Sequence, residues 1–416
     1  MSHILVYRYI DIINNTDYDR LYKTVENKFN GICPNFGNKL WYQGIISEIT
    51  VDGNSIDFYN PSMDIALINE KYDLVLYPMA NIFSLDYAHG LPNITMFVKK
   101  LRIPIFIISC GVQAKSYNEL DSLVKSIGEV SKAFIQAVYD SGGEFALRGY
   151  FTAEFFSRLG FKNPAVVGCP SLFQTGKDLI ISNDKVSLKD FKINVNGVAE
   201  IAIPIMKKYN SIFYDQEAFY DFMYNKEYYD GEKLNLYNNL KWIKSSGLGM
   251  NIVDWIYQER IRLLADMWDW QHSIQNEDIS FSYGTRIHGN IMSILSGVPA
   301  LIVNIDARVK EMAEFYEIPN IDYQQAMEIK ERGNDIYNLY LNTDYSKFNQ
   351  HYIKKYEAFR KFLLKCGIIQ NSMNENNPYL NCSDGKYPTS AAAASKHRAE
   401  IIQKRRWLYD IILKSI

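Results

Sequence analysis

At 416 residues the chain is longer than one ordinary hydrophobic core requires, and it suits two domains plus appendages. A hydrophobic content of 47% with 22% charged residues excludes a disordered chain. The formal net charge of −2 supplies no global field for nucleic acid, so an anionic substrate must be captured by local cations.

Cys33, Cys110, Cys169, Cys366 and Cys382 are odd in number and never form a Cys-x-x-Cys pair, which points to neither a disulfide framework nor a zinc site. The first residues lack the apolar run of a signal peptide, and no segment approaches the roughly 20 apolar residues that span a bilayer. A cytoplasmic protein is the expectation, with contact at the inner face of the membrane left open.

Residues 4–9 read as a first strand, and 39–49 as a helix for which Gly37 and Asn38 supply the turn and cap. Strands at 72–77 and 104–109 are apolar throughout, as expected of parallel strands covered on both faces, with a crossover helix at 94–101 between them. The loop Ser109-Cys110-Gly111-Val112-Gln113 follows at a strand's carboxyl end, where backbone N–H groups commonly meet a ligand; a plain structural turn is the competing reading. A helix over 119–140 leads to a strand at 144–148 and a helix at 151–159, which puts Arg148 at the rim of the sheet. Residues 165–173 supply a strand and a turn. No thiolate-stabilising pattern surrounds Cys169 in the sequence. Polar residues 182–185 mark a domain boundary.

The second half repeats the alternation, with strands at 191–196 and 211–214 and helices at 199–208 and 216–224. Residues 225–250 are expected to form a variable, acceptor-facing insertion, and 255–270 a strong helix. A strand at 278–281, a turn, a helix at 290–295 and a buried strand at 300–305 then make a parallel unit. Ligands bind outside the carboxyl ends of such strands, so Thr285, Arg286, His288 and Gly289 stand at a helix N-terminus that already favours negative charge. The competing reading is a surface arginine beside a satisfied core histidine. Beyond 321 the pattern is helical, at 323–330, 335–341 and 348–366. A last helix at 390–416 carries a basic stretch that crosses back onto the first lobe, meets an anionic membrane or glycan, or is simply solvated.

Residues 282–319, with Arg286-Ile287-His288, Ser296-Gly297-Val298-Pro299 and the run from Arg308 to Pro319, resemble the carboxyl-terminal signature of the polysaccharide pyruvyl transferase family. Leu147-Arg148-Gly149-Tyr150-Phe151-Thr152 is similar to that family's Arg-Asp-x-x-Ser/Thr motif, with Gly149 where an aspartate is usual. The resemblance implies an α/β chain of two Rossmann-like, GT-B-like lobes, set at 1–180 and 186–333, with a helical extension at 334–416 packing back on them. It implies transfer of pyruvate from phosphoenolpyruvate onto hydroxyls of a cell-surface polysaccharide or its precursor, as in exopolysaccharide or capsule, with formation of a ketal. Phosphoenolpyruvate and a glycan or lipid-linked saccharide are the implied partners, without nucleic acid; no cofactor or metal is expected. Arg148 is implied to contact the donor. Asn38 and Gly111 match a Gly-Asn turn and a glycine loop of the family.

Phosphoenolpyruvate carries a carboxylate and a phosphate, so its site needs at least two convergent cations, preferably bidentate guanidinium groups. Arg148 and Arg286 fit that need from opposite lobes. Ketal formation also needs a proton carrier near neutral pH, and His288 is placed for it, either as general acid/base or as a donor to the phosphate. A nucleotide-sugar-dependent glycosyltransferase of the same architecture is the alternative, with Arg286 on a diphosphate and Glu311, Glu314 or Glu317 as its acidic partner. A third class is a non-catalytic glycan- or phosphate-binding protein.

Overall fold

The computed structural model describes residues 2–7, 35–50, 54–216, 255, 258–264 and 267–370. Its strands form two six-stranded sheets in which every pairing is parallel. The first holds β1 (His3–Val6), β2 (Ser55–Phe58), β3 (Leu74–Pro78), β4 (Ile105–Cys110), β5 (Phe145–Leu147) and β6 (Ala165–Val166), in the order β2-β1-β3-β4-β5-β6. The second holds β7 (Ile193–Asn196), β8 (Ser211–Asp215), β9 (Ile261–Leu263), β10 (Phe281–Gly284), β11 (Ala300–Asn304) and β12 (Asn320–Asp322), in the order β12-β11-β10-β7-β8-β9. β3, β4, β7, β8, β10 and β11 are buried at every position, because helices cover both faces of each sheet. These are two Rossmann-like lobes.

The helices are α1 (Phe36–Thr50), α2 (Ile65–Lys71), α3 (Leu91–Lys99), α4 (Leu120–Asp140), α5 (Tyr150–Arg158) and α6 (Ala199–Lys208), then α7 (Met267–Asn276), α8 (Ile287–Leu295), α9 (Ala307–Tyr316), α10 (Tyr323–Glu331), α11 (Ile336–Asn342) and α12 (Ser346–Lys365). In each sheet the chain builds outward on one side and then returns to the other side of the starting strand, β1 in the first and β7 in the second. Such reversals open a crevice at the carboxyl ends of the strands.

Three expectations are corrected. Residues 255–270 are not one helix: Glu259 takes a left-handed φ of 60°, and residues 261–263 are drawn into β9 alongside β8, so α7 begins only at Met267. The strand expected at 278–281 lies at Phe281–Gly284, since Asp278 closes the preceding turn with φ 49°. Ser282 is tolerated inside that strand because its hydroxyl donates to Asn290 Oδ1 at 2.9 Å. Finally, α1 starts at Phe36, so Gly37 and Asn38 lie in its first turn and Asn35 does the capping. The Asn35 Oδ1 accepts from Gly37 N at 2.9 Å and Asn38 N at 3.3 Å. Residues 217–224, the insertion at 225–250 and the segment 371–416 lie outside the described residues.

α12 runs back to the first half of the chain. Tyr352 donates to the carbonyls of Leu172 and Gly176, and the buried Arg360 meets the buried Glu48 of α1 at 2.5 Å. One apolar cluster accordingly joins α1, the second sheet and α12. Among the described residues no helix is long and apolar enough to cross a membrane.

Candidate functional site

The second lobe's half of the site is the turn between β10 and α8. β10 ends at Gly284 and α8 begins at Ile287, which leaves Thr285 and Arg286 as the connection and His288 as the second helical residue. Buried asparagines fix this turn. Asn196, at the end of β7, accepts from Arg286 N at 2.9 Å, and Asn290 Nδ2 donates to the carbonyls of Gly284 and Arg286 at 3.1 Å each. Thr285 Oγ1 accepts from Val198 N at 3.2 Å. Polar groups satisfied this way at low dielectric hold a loop in one conformation.

The first lobe contributes Arg148, which directly follows β5 and is only 3% exposed. Its Nε donates to Ser109 Oγ at 3.0 Å and its Nη1 to Asn81 Oδ1 at 3.2 Å, while the guanidinium lies 5.8 Å from the ring centre of Trp41. Ser109 sits in an irregularity of β4 with φ 66°, and its hydroxyl donates to Cys169 Sγ at 3.3 Å. Ser171 donates to the same sulfur at 3.2 Å, and His288 Nε2 lies 3.9 Å from it. Polar groups therefore gather at Cys169, with Ser109 and His288 brought from elements far apart in the chain.

These elements enclose a cavity of about 410 Å³, at the small end of small-ligand sites. Of the residues expected in the site, Arg148, Asn38, Thr285, Arg286 and His288 line it. Gly111 and Gly289 do not. A Cβ on Gly111 would touch Arg148 Cδ at 3.1 Å, so Gly111 packs beneath that side chain; Gly289 faces Gln216 and Asn196. Gly37 makes a further close approach, since a Cβ there would stand 3.0 Å from His288 Cβ.

Arg308 and Asp306 also line the cavity and were not expected there. Asp306 caps α9 by accepting from Val309 N at 2.9 Å, and its other oxygen pairs with Arg308 Nη2 at 2.8 Å. Both follow β11 at the carboxyl edge of the second sheet, and the rule that pointed to Arg286 after β10 applies equally to them. Three guanidinium charges against one carboxylate leave the lining formally at +2.

His288 keeps part of its surface open to the cavity, yet burial dominates its titration. Desolvation, followed by the charges of Arg148, Arg308 and Arg286, holds its pKa well below 6.5. The imidazole is therefore neutral when the cavity is empty, which corrects the expectation of a pKa near neutrality.

None of the three downstream glutamates lines the cavity. Glu311, 2% exposed, accepts from Thr152 N at 2.6 Å and Thr152 Oγ1 at 2.9 Å; burial pushes its carboxyl up to about 7. Glu314 accepts from Tyr117 at 2.7 Å, and Glu317 pairs with Lys355 and His351.

A crevice at the carboxyl ends of two parallel sheets, walled by three arginines and a histidine, defines a two-lobed α/β protein with a positively charged cavity. The chain belongs to the polysaccharide pyruvyl transferase family, whose model matches residues 4–307. No curated protein matches it. Among solved structures, an uncharacterised protein of Klebsiella pneumoniae subsp. pneumoniae is similar at 12% identity and TM-score 0.38, covering 77% of this chain and 92% of that one. A UDP-N-acetylglucosamine 2-epimerase is similar at 10% identity and TM-score 0.41, covering 90% and 98%. The glycosyltransferase SnogD of Streptomyces nogalater is similar at 10% identity and TM-score 0.30, covering 88% and 100%.

Proposed function

We propose that the cavity binds phosphoenolpyruvate and that the protein transfers its pyruvyl group onto two hydroxyls of a sugar in a cell-surface polysaccharide or its precursor. The observation that carries this reading is the convergence of Arg148, Arg286 and Arg308 on one cavity of about 410 Å³. A carboxylate and a phosphate on one small skeleton match that charge and size, and guanidinium groups hold both in two-pronged contacts. The described lining contains no Phe, Tyr or Trp to stack on a nucleotide base and no glutamate. That favours phosphoenolpyruvate over a nucleotide sugar.

In the reaction, the methylene carbon of phosphoenolpyruvate takes a proton from His288, and a sugar hydroxyl adds to the carbon bearing the phosphate as it returns its own proton to His288. The C–O bond to phosphate then breaks, phosphate leaves with the electron pair, and a second hydroxyl closes the ketal as its proton passes to the departed phosphate. Arg148, Arg286 and Arg308 hold the donor and stabilise the departing phosphate. His288 carries the proton. Burial and then the three arginines depress the histidine; bound donor offsets the arginine charges, which raises its pKa and favours the protonated ring while the cavity is filled.

Thermal-shift measurements test the donor assignment. A ligand that binds only the folded state stabilises it by RT ln(1 + [L]/Kd), so phosphoenolpyruvate should raise Tm more than any nucleotide sugar at equal concentration. Selective stabilisation by a nucleotide sugar hands the site to the glycosyltransferase reading.

A further inference from the structure

α5 has an N-terminus without a cap of its own. Its N-cap residue is Gly149, which has no side chain to offer, and the first turn contains no acid. The orphan N–H groups of a helix start need an acceptor, and a carboxylate is the strongest available because it also meets the helix dipole. Glu311 supplies it from 159 residues away, through the bonds to Thr152 N and Thr152 Oγ1. The space for it exists because position 149 is glycine: a Cβ there would stand 2.3 Å from Glu311 Cγ. Gly149 itself has extended backbone, φ −177°, that any residue adopts, so the obstacle to a Cβ there is the adjacent Glu311 side chain rather than backbone strain.

This contact lies between two donor-site arginines. Arg148 immediately precedes Gly149, and Arg308 precedes Glu311 by one turn of α9. Thr152 Oγ1 also accepts from Val112 N at 3.0 Å, which ties the loop after β4 to the same point. We propose that Glu311 is a positioning residue that caps α5 from the opposite lobe and thereby sets Arg148 against Arg286 and Arg308 across the anion cavity. Both Arg308 and Glu311 lie beyond the family-matched residues 4–307. The charged and titratable groups that act on or face Glu311 are Arg148 after β5, Cys110 in β4, Tyr117 before α4 and Glu314 on its own helix.

The proposal rests on the anion-site reading, and the test separates the two. Titration calorimetry with phosphoenolpyruvate, and in parallel with inorganic pyrophosphate, is run on the wild type and on Glu311→Gln, Arg148→Ala and the double variant. Glu311→Gln preserves side-chain size but not the second acceptor oxygen, and it should weaken binding of whichever anion the wild type takes by about tenfold. In the Arg148→Ala background the same change should have no further effect, because Glu311 acts through Arg148. An equal loss in both backgrounds overturns the positioning role. Wild type that binds pyrophosphate but not phosphoenolpyruvate overturns the donor assignment and leaves the Glu311 comparison intact; wild type that binds neither overturns both.

Rescue gives a second, ligand-independent reading. Gly149→Asp alone should lower Tm because its Cβ meets Glu311, and Glu311→Ala alone should lower it by uncapping α5. Glu311→Ala with Gly149→Asp should recover most of the loss, since a carboxylate from position 149 can then serve as a local cap. Additive losses in the pair overturn the capping claim.

Discussion

Asp306 Oδ2 lies 2.8 Å from Arg308 Nη2 on the wall of the cavity, so one of the three arginines there is already paired with the residue that caps its own helix. Asp306→Asn retains an oxygen for Val309 N and removes the charge, taking the lining from +2 to +3. Phosphoenolpyruvate should then bind about fivefold tighter, roughly 1 kcal/mol, the scale of one added charge at a partly screened site. Calorimetric titration measures it. Unchanged or weaker binding would mean that Arg308 does not reach the donor.

Arg286→Lys keeps the positive charge and loses the planar fork. The backbone of the turn is held by Asn196 and Asn290 independently of that side chain, so the substitution should leave the fold intact. Donor binding should weaken by about 1.5–3 kcal/mol, the range for hydrogen bonds to charged groups. A lysine variant that binds phosphoenolpyruvate as well as the parent removes Arg286 from the site.

Most of the strands, most of the helices and three of the four basic cavity residues were legible in the sequence because each depends on a local signal. β3 and β4 are apolar runs, and Arg286 and His288 follow a strand and open a helix. β9 was not legible, since residues 261–263 become a strand only when β8 is present to pair with them. Arg308 and Glu311 were visible as residues but not in their roles, because the cavity wall and the α5 cap are made by bringing α9 against the other lobe. The hydroxyls at Cys169 were hidden for the same reason. Asn35 shows the smaller kind of error: an Asn-Phe-Gly-Asn run offers two caps, and which one is used depends on where α1 must end to approach His288.

The raised carboxyl of Glu311 fixes the sign of a stability trend. Its folded pKa of about 7 exceeds the reference of 4.5, so the folded protein holds this proton more tightly than the unfolded chain. The associated stability is complete below the unfolded value and is lost as pH rises through 7, to an upper bound of about 3 kcal/mol. Denaturant unfolding from pH 5 to 8 should show a downward slope in the wild type and a flatter one in Glu311→Gln. Identical slopes would assign the titration elsewhere.

His288 has the opposite sign. Its folded pKa lies well below the reference of 6.5, so its contribution to stability is present above that value and is lost as pH falls below it. Desolvation comes first among the causes, followed by Arg148, Arg308 and Arg286, and a bound polyanion offsets the three arginines while leaving the burial in place. Phosphoenolpyruvate should therefore raise this pKa and bind with uptake of a proton. Calorimetry in buffers of different ionisation heat reads the uptake, and subtracting His288→Gln removes the part that belongs to the phosphate itself. Turnover in His288→Gln should fall by about 10²–10⁴-fold with little change in donor affinity at pH 8, where the wild-type ring is neutral before binding. Equal proton uptake in wild type and variant, together with parental turnover, would show that His288 neither gains nor delivers the proton and serves only to shape the cavity.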